Sequence, residues 1–217
     1  MKKLFIITPC SRIENIKTVY KSINFNENIE WIIVYDSKEP RKKIFDNEKI
    51  KEFSYYDRES KHGNSQRNFA INYLNQKKDK NFFLYFLDDD NILHKEFQQY
   101  IQKLDYKKLY TFDQDKMCKA YVGETFKFVK IFKGNEPYPG KIDTAQFLSD
   151  FSLVNDIEFK TLADGDDCDG KYIQACISKN KNKHEYIPKI LCHYNYLNRK
   201  NLISKILRLK NFINFSS

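Results

Sequence analysis

Three short apolar runs in the first part of the sequence restrict the fold more than any other feature. The runs cover residues 4–8, 31–35 and 81–87, and they are followed by Pro9, Asp36 and Asp88–Asp90. Continuous apolar runs of this length are typical of strands that are buried on both faces of a parallel sheet. A helical pattern at residues 12–23 separates the first two runs, which predicts a strand–helix–strand unit with a right-handed crossover.

The periodicity of the remaining sequence extends this unit to an α/β fold. Further strands are predicted at residues 53–56, 108–112, 120–122 and 125–132. Further helices are predicted at residues 66–76, 94–104, 145–153 and 170–178. We therefore expect a mainly parallel central sheet flanked by helices, with a small antiparallel second half. The sequence has no internal repeat and no low-complexity linker, so a single domain is expected.

The composition fits a folded protein with a positive field. Of the 217 residues, 41% are hydrophobic and 31% are charged, and the formal net charge is +9. Such a charge attracts phosphates, nucleic acids or anionic lipids without choosing among them. The five cysteines form no C-x-x-C pair, which argues against a zinc knuckle or a disulfide framework. No stretch approaches the roughly 20 apolar residues of a membrane-spanning helix, so a cytoplasmic location is expected.

Asp88–Asp90 is the strongest local signal for function. Three adjacent carboxylates at the end of a buried strand repel one another and lose hydration. A divalent cation compensates this charge, and clustered oxygen ligands suit Mg²⁺ or Mn²⁺. The ligands of open α/β sheets bind outside the carboxyl ends of the strands, where this cluster is predicted to lie. The alternative is an exposed acidic turn that caps the following helix.

Other polar residues are candidates for ligand binding because of their positions at the ends of predicted strands and helices. Asp36 follows the second strand, where it can accept hydrogen bonds from a base or a ribose, or make an Asx turn with Ser37. Arg67 and Asn68 open a helix, where they can face a phosphate group. No P-loop or dinucleotide-binding fingerprint occurs in the sequence.

The late part of the chain adds a second acidic group at residues 164–169. A carboxylate there can serve as a general base beside a metal and a sugar hydroxyl, or the acids can simply favour a helix N-terminus. Residues 143–146 precede this group and can line a sugar or acceptor site. His193 lies in an apolar stretch, where a histidine is more often a packed residue than a metal ligand.

In this order along the chain, the pieces resemble the GT-A superfamily of nucleotide-sugar glycosyltransferases, particularly its inverting, family-2-like bacterial enzymes. The matching features are Ile7–Pro9, Asp36, Gly63–Asn64, Arg67–Asn68, Asp88–Asp90, Asp166–Asp167 and His193. The resemblance spans most of residues 4–196 and implies a GT-A, Rossmann-like domain at residues 1–198. Its nucleotide-binding half would cover residues 1–104, and its acceptor and catalytic-base half would cover residues 105–198.

The resemblance also implies a role for each matching residue. The nucleotide and the donor sugar would contact Pro9, Asp36, Arg67, Asn68, Asp88 and Asp89. A Mn²⁺ or Mg²⁺ ion would bind Asp90 and His193. Asp167, or Asp166 in its place, would be the catalytic base. The family usually has Glu-Asp at this last point, where this chain has two aspartates.

The implied activity is metal-dependent transfer of a sugar, expected to come from a UDP-sugar, to a hydroxyl of a glycan or lipid-linked acceptor, with inversion. The expected setting is the synthesis of bacterial surface polysaccharide or lipooligosaccharide. The basic tail at residues 199–217 has its apolar residues at helical spacing, which suggests an amphipathic helix on an anionic membrane at the inner face of the cytoplasmic membrane. The alternative is a helix that packs on the domain or joins two subunits of a homodimer.

Two other functions share parts of this pattern. A metal-dependent nucleotidyltransferase or phosphohydrolase would use the same acidic cluster. The nucleotidyltransferase usually needs a glycine- and basic-rich loop after the first strand, and Pro9–Arg12 does not supply one. A nucleic-acid-binding module would use the positive charge and the aromatics. Those aromatics lie mostly in apolar runs such as residues 82–86, which indicates a core, so no nucleic-acid partner is expected.

Overall fold

One sheet organises the residues described by the structure, a computed structural model covering residues 2–58, 62–119, 127–160 and 167–197. The strands are β1 (Leu4–Cys10), β2 (Ile29–Asp36), β3 (Ile50–Tyr55), β4 (Phe83–Phe86), β5 (Ile92–Leu93), β6 (Leu109–Lys119), β7 (Lys127–Phe132), β8 (Phe147–Asp150) and β9 (His184–His193). The helices are α1 (Ile16–Ser22), α2 (Asn64–Asn75), α3 (Phe97–Ile101) and α4 (Cys168–Lys179).

The order of the strands separates a parallel half from a mixed half. The order is β3-β2-β1-β4-β8-β6-β9-β5, and β7 pairs with β6. The first four strands in this order are parallel, and β8 lies antiparallel between β4 and β6. The strands β6 and β9 are parallel, while β5 and β7 are antiparallel edges. This arrangement confirms the predicted α/β class, with a parallel first half and antiparallel pairs in the second.

The apolar runs of β1, β2 and β4 are continuous because each strand is buried on both faces. Alternate residues of β1 belong to different core clusters, with Ile6 on one face and Ile7 on the other. The cluster containing Ile6 packs against α1 and α3, and the cluster containing Ile7 packs against α2 and α4. Helices therefore cover both faces of the sheet, as the fold class requires.

The prediction of a helix at residues 145–153 is wrong. This segment contains a 3-10 turn at Thr144–Gln146, the strand β8 and a second 3-10 turn at Phe151–Leu153. Each turn is capped by an aspartate, since Asp143 accepts a bond from Ala145 N and Asp150 accepts one from Ser152 N. The two caps interrupt a helix, and pairing with β4 and β6 then fixes the residues between them as a strand.

Other differences are smaller. The helix predicted at residues 94–104 is shorter, at Phe97–Ile101, and the strands β5 and β9 were not predicted. The strand predicted at residues 120–122 and the tail at residues 199–217 lie outside the described residues. Within the described part of the chain, no helix combines the length and the apolar character needed to cross a membrane.

Candidate functional site

A cavity of about 610 Å³ lies at the carboxyl ends of β1, β2 and β4. Its charged lining residues are Arg12, Asp36, Arg67, Asp88, Asp89, Asp90, Lys141, Asp143 and Asp169. The other described lining residues are Pro9, Cys10, Ser11, His62, Gly63, Gln114, Phe132, Gly140, Ile142, Gln146, Cys168, Tyr194 and Asn195. Six aspartates against two arginines and one lysine give the lining an excess of negative charge, although the whole chain carries +9.

Asp89 holds the loop after β1 in place. Its Oδ2 atom accepts hydrogen bonds from the backbone N–H groups of Ser11 and Arg12, at 2.7 and 2.6 Å. Its Oδ1 atom accepts a bond from Arg12 Nε at 2.8 Å and lies 2.7 Å from Arg12 Nη2. Because both carboxylate oxygens are engaged by the protein and the residue is buried, Asp89 holds the loop that forms this side of the cavity.

Arg67 is the buried cation of the cavity. The residue lies in the first turn of α2 and is 2% exposed. Its Nη2 atom donates to Asp88 Oδ1 at 2.6 Å, and its Nη1 atom donates to the carbonyl oxygen of His62 at 2.7 Å. The guanidinium also lies over the ring of Phe159, 5.3 Å from its centroid. These contacts fix the guanidinium in one place beside the acidic cluster.

Two further carboxylates share this one guanidinium. Asp169 Oδ1 lies 3.7 Å from Arg67 Nη1, and Asp143 lines the same cavity. Burial, with added repulsion from Asp88 and Asp169, raises the pKa of Asp143 well above its usual value. Burial also raises the pKa of Asp88, although Arg67 opposes this shift. One buried cation therefore does not balance the three carboxylates, and the site favours a further positive charge.

Asp90 completes the acidic cluster at the edge of the cavity. Its Oδ2 atom lies 3.1 Å from Arg12 Nη2, and its backbone carbonyl accepts a hydrogen bond from Leu197 N at 2.9 Å. Burial raises the pKa of Asp90 to about 6, with Arg12 opposing the shift and the neighbouring aspartates adding to it. At neutral pH this carboxylate is ionised, but a positive ligand would stabilise it further.

The raised pKa of Asp90 gives the protein a testable pH dependence. Because the folded state holds this proton more tightly than the unfolded state, the stability contributed by protonated Asp90 is complete below pH 3.8 and is lost as the pH rises through about 6. Asp90→Asn cannot lose this proton, so its stability relative to the wild type should increase between pH 4 and pH 7. We expect a gain on the order of 2 kcal/mol, or roughly 5 °C in melting temperature, measured by thermal unfolding in EDTA. A difference between the two proteins that does not change with pH would contradict the assignment.

Asp36 is placed at the cavity by the start of α2. Asp36 is the last residue of β2 and is exposed. The buried Gln66 donates from Nε2 to Asp36 Oδ1 at 3.2 Å and to the carbonyl oxygen of Tyr55 at 3.1 Å. The helix thus orients the Asp36 carboxylate, whose exposed face can accept hydrogen bonds from a ligand hydroxyl.

Gly63 allows α2 to begin against β1. Its φ is +75°, and a Cβ atom built at Gly63 would lie 2.7 Å from Pro9 Cβ. We expect Gly63→Ala to lower the free energy of unfolding by about 2–3 kcal/mol, because it adds a clash with the rigid Pro9 ring to the cost of the left-handed conformation. Gly140 is a matched control, since its φ is also +75° but its nearest neighbour would be the flexible Asp167 Oδ1 at 3.1 Å. Gly140→Ala should cost about 1 kcal/mol, and equal losses in urea unfolding of the two variants would refute the clash.

Some predicted site residues are not part of the cavity lining. Asn68 contacts protein backbone: its Nδ2 atom donates to the carbonyl oxygen of Phe159 and its Oδ1 atom accepts from Phe159 N, both at 2.8 Å. Asp167 is exposed at the N-cap of α4, beside Gly140. Asp166 lies outside the described residues. Both ends of the Asn68 side-chain amide therefore bond to the backbone of Phe159, so Asn68 holds the segment that precedes the late acids.

His193 is also placed away from the lining. Its Nδ1 atom lies 2.6 Å from Asp115 Oδ1, and its ring lies 5.4 Å from the ring of His94. Asp90 lines the cavity and His193 does not, although the two residues are predicted to bind one metal ion. The pairing of His193 with Asp115 across β9 and β6 instead holds the end of β9, from which Tyr194 reaches the cavity.

The cavity also contains residues that the sequence did not single out. Asp169 lies two residues beyond Asp167, and only its membership of the acidic group at residues 164–169 pointed to it. Gln114, Phe132 and Tyr194 come from the strands β6, β7 and the end of β9, which belong to no recognisable motif. Pairing in the second half of the sheet brings these residues to the lining.

The donor set is suited to a metal ion that is bound together with a nucleotide. Among the described residues, no three His, Cys, Asp or Glu side chains are grouped to hold a metal ion by themselves. Mg²⁺ in nucleotide sites usually takes one or two carboxylates, with phosphate oxygens and water completing its coordination. Asp88 and Asp90 fit this pattern, because both line the cavity and burial raises the pKa of both, so that a nearby cation would stabilise their ionised form.

The comparisons with known proteins bear on the chain as a whole. No protein-family model matches the sequence, and no curated protein is significantly similar to it. Among solved structures, A197 from STIV is similar at a TM-score of 0.42 and 16% identity, over 87% of this chain and 82% of that chain. A protein assigned as a glucose-1-phosphate thymidylyltransferase from Bacillus anthracis, in complex with a sucrose, is similar at a TM-score of 0.42 and 10% identity, over 93% and 94% of the two chains.

Proposed function

We propose that the chain is a glycosyltransferase that transfers a sugar from a nucleoside diphosphate sugar to an acceptor hydroxyl. One observation carries the proposal. Six aspartates and a buried arginine surround a cavity of about 610 Å³ at the carboxyl ends of the parallel strands. A cavity of this volume accommodates a ligand of nucleotide size, and its position is the usual ligand site of an open α/β sheet.

In this proposal, the parts of the donor follow the order of the strands along the cavity. Pro9, Gly63 and Asp36 lie at the end formed by β1 and β2, where the exposed Asp36 carboxylate suits ribose hydroxyls. Asp88 and Asp90 follow β4, next in the sheet, and suit a metal–diphosphate group. Asp143 precedes β8, the next strand in the sheet, and Asp169 lies at the start of α4 beside Arg67; the sugar and the acceptor would meet at these two carboxylates.

Asp88 and Asp90 are the residues that would hold a divalent cation. When bound, such an ion neutralises the negative charge of the diphosphate and of the departing nucleoside diphosphate. Without it, a diphosphate would meet the excess negative charge of the lining and be repelled. Nucleotide binding should therefore depend on a divalent cation, which would be Mg²⁺ or Mn²⁺ given the oxygen ligands.

Asp169 is the best-placed general base among the described late acids. It lines the cavity, whereas Asp167 lies two residues earlier with an exposed side chain. A carboxylate that accepts the proton of an acceptor hydroxyl allows the hydroxyl oxygen to attack the anomeric carbon as the nucleoside diphosphate leaves. Arg67, 3.7 Å away, keeps the Asp169 carboxylate oriented for this role.

A thermal-shift screen tests the proposal. UDP, GDP, CDP, ADP and CMP are each added with Mn²⁺ and with EDTA. At a concentration of about 100 times Kd, a ligand of the folded state should raise the melting temperature by roughly 5–10 °C. We expect one nucleoside diphosphate to do so with Mn²⁺ and not with EDTA. If no nucleotide stabilises the folded protein, the proposal is wrong.

Two variants make the screen specific to the cavity. Asp90→Asn should lose the metal-dependent shift, because it removes a carboxylate proposed to bind the metal ion. Asp156→Asn is the control, because Asp156 is an exposed aspartate that pairs with Lys179 and is not part of the cavity lining. A shift that survives in Asp90→Asn would place the metal ion elsewhere.

A further inference from the structure

Gln114 is a buried polar residue of β6. Tyr110 and Phe112 precede it in the strand and are buried in one core cluster, and an irregularity of the strand at Asp113 separates them from Gln114. Gln114 is 2% exposed, and its backbone lies opposite Cys192 of β9 and Phe132 of β7. Packing alone would favour an apolar side chain here, since a buried carboxamide loses its hydration.

The described residues leave one atom of this carboxamide unsatisfied. The Oε1 atom of Gln114 is buried and accepts no hydrogen bond from any of them. Gln146, on the same lining, shows the opposite case. Its Nε2 atom donates to the carbonyl oxygens of Phe112 and Phe132 at 3.1 and 3.0 Å, and its Oε1 atom accepts from Asp143 N at 3.2 Å. Hydrogen bonds at both ends of its carboxamide compensate the burial of Gln146, whereas the described residues give the Oε1 atom of Gln114 no such compensation.

The position of Gln114 in the cavity indicates which part of a ligand would meet it. Asp36 ends β2, Asp88 and Asp90 follow β4, and Gln114 belongs to β6. In the order β2-β1-β4-β8-β6, four strand spacings separate the first of these positions from the last, or about 19 Å along the sheet. A base and ribose at β2 and a diphosphate at β4 leave the β6 end for the sugar.

We infer that Gln114 is a specificity residue for the transferred sugar. A hydroxyl or acetamido N–H group of the sugar would donate a hydrogen bond to the carboxamide oxygen of Gln114. This inference rests on the proposed function. The terminal torsion of a glutamine has a broad energy profile, so a small rotation turns the amide towards a ligand without displacing the strand. A sugar that lacks a donor at this point leaves the buried oxygen unpaired and binds less tightly.

The test compares nucleotide and nucleotide-sugar binding to Gln114→Leu and to the wild type. Kd is measured by titration calorimetry with Mn²⁺ for UDP, UDP-glucose, UDP-galactose, UDP-N-acetylglucosamine, GDP and GDP-mannose. We expect Kd for at least one nucleotide sugar to rise about 5- to 10-fold, while Kd for its nucleoside diphosphate changes less than 2-fold. The melting temperature of the variant should not fall, because leucine removes an unpaired buried acceptor.

Gln98→Leu is the matched control. Gln98 lies in α3 and carries a buried, unpartnered Nε2 atom away from the cavity lining, so neither Kd should change. Equal nucleotide-sugar Kd values for Gln114→Leu and the wild type would overturn the inference and leave the proposed function standing. A parallel loss of nucleoside diphosphate and nucleotide-sugar binding would also overturn it, since Gln114 would then support the whole site. Absence of all nucleotide binding in the wild type would overturn the proposed function and the inference together.

Discussion

Replacing Arg67 with methionine is expected to lower the free energy of unfolding by about 3–5 kcal/mol at pH 7, because it leaves buried carboxylates without their cation. Arg67 is 2% exposed and pairs with Asp88 and Asp169, and Asp143 lies on the same lining. Methionine retains an unbranched apolar stem against Phe159, so most of the loss should come from the charge. Urea unfolding in EDTA measures the difference.

The pH and a second arginine separate charge from packing in this result. The loss should shrink at pH 5, since the aspartates with raised pKa take up protons as the pH falls. Arg12→Met is the control: Arg12 faces Asp89 and Asp90, but its side chain is 39% exposed, so its loss should be less than half as large. A loss from Arg67→Met that is the same at both pH values would show that packing dominates.

Asp169→Asn is expected to lower the rate of sugar transfer by about 10²- to 10⁴-fold, the usual contribution of a general base. Asparagine keeps the size and a hydrogen-bonding oxygen for Arg67 but cannot take up the acceptor proton. The measurement is the release of nucleoside diphosphate from the nucleotide sugar that binds in the titrations. Kd for the nucleoside diphosphate itself should stay within about 3-fold of the wild-type value, because the proposed role of Asp169 is towards the acceptor hydroxyl and not towards the diphosphate.

Asp167→Asn is the matched control for this prediction. Asp167 is the residue to which the family resemblance gives the role of base, and it lies exposed at the N-cap of α4. We expect its variant to retain more than a third of the wild-type rate. The opposite pattern, with Asp167→Asn inactive and Asp169→Asn active, would restore the role that the sequence predicted and exclude Asp169.

The parallel half of the fold was predictable because local sequence and tertiary environment agree there. The strands β1, β2 and β4 are buried on both faces, so their apolar runs are visible without knowledge of their neighbours. The polar residues at the ends of β2 and β4 then lie at the same edge of the sheet, which is why Asp36 and Asp88–Asp90 share one cavity. The helix α2 was predicted close to its true position for a similar reason, since its apolar residues follow a helical period.

The antiparallel half was not predictable in the same way. The strand β8 has only four residues, too few to show a strand period, and its pairing with β4 and β6 is what makes it a strand. The strand β9 mixes buried and exposed residues without a regular period, so it carried no clear signal. Residues that reach the cavity from this half, such as Gln114 and Tyr194, were therefore invisible in the sequence.

The sequence by itself determined the α/β class and the acidic edge of the sheet, because both follow from the order of apolar and polar residues along the chain. The tertiary structure decided which contacts each aspartate makes. Asp89 accepts hydrogen bonds from the loop after β1, Asp88 pairs with Arg67, and burial raises the pKa of Asp90. Three adjacent residues of one type look alike in a sequence, and only the groups that fold around each carboxylate set its hydrogen bonds, its charge balance and its access to a ligand.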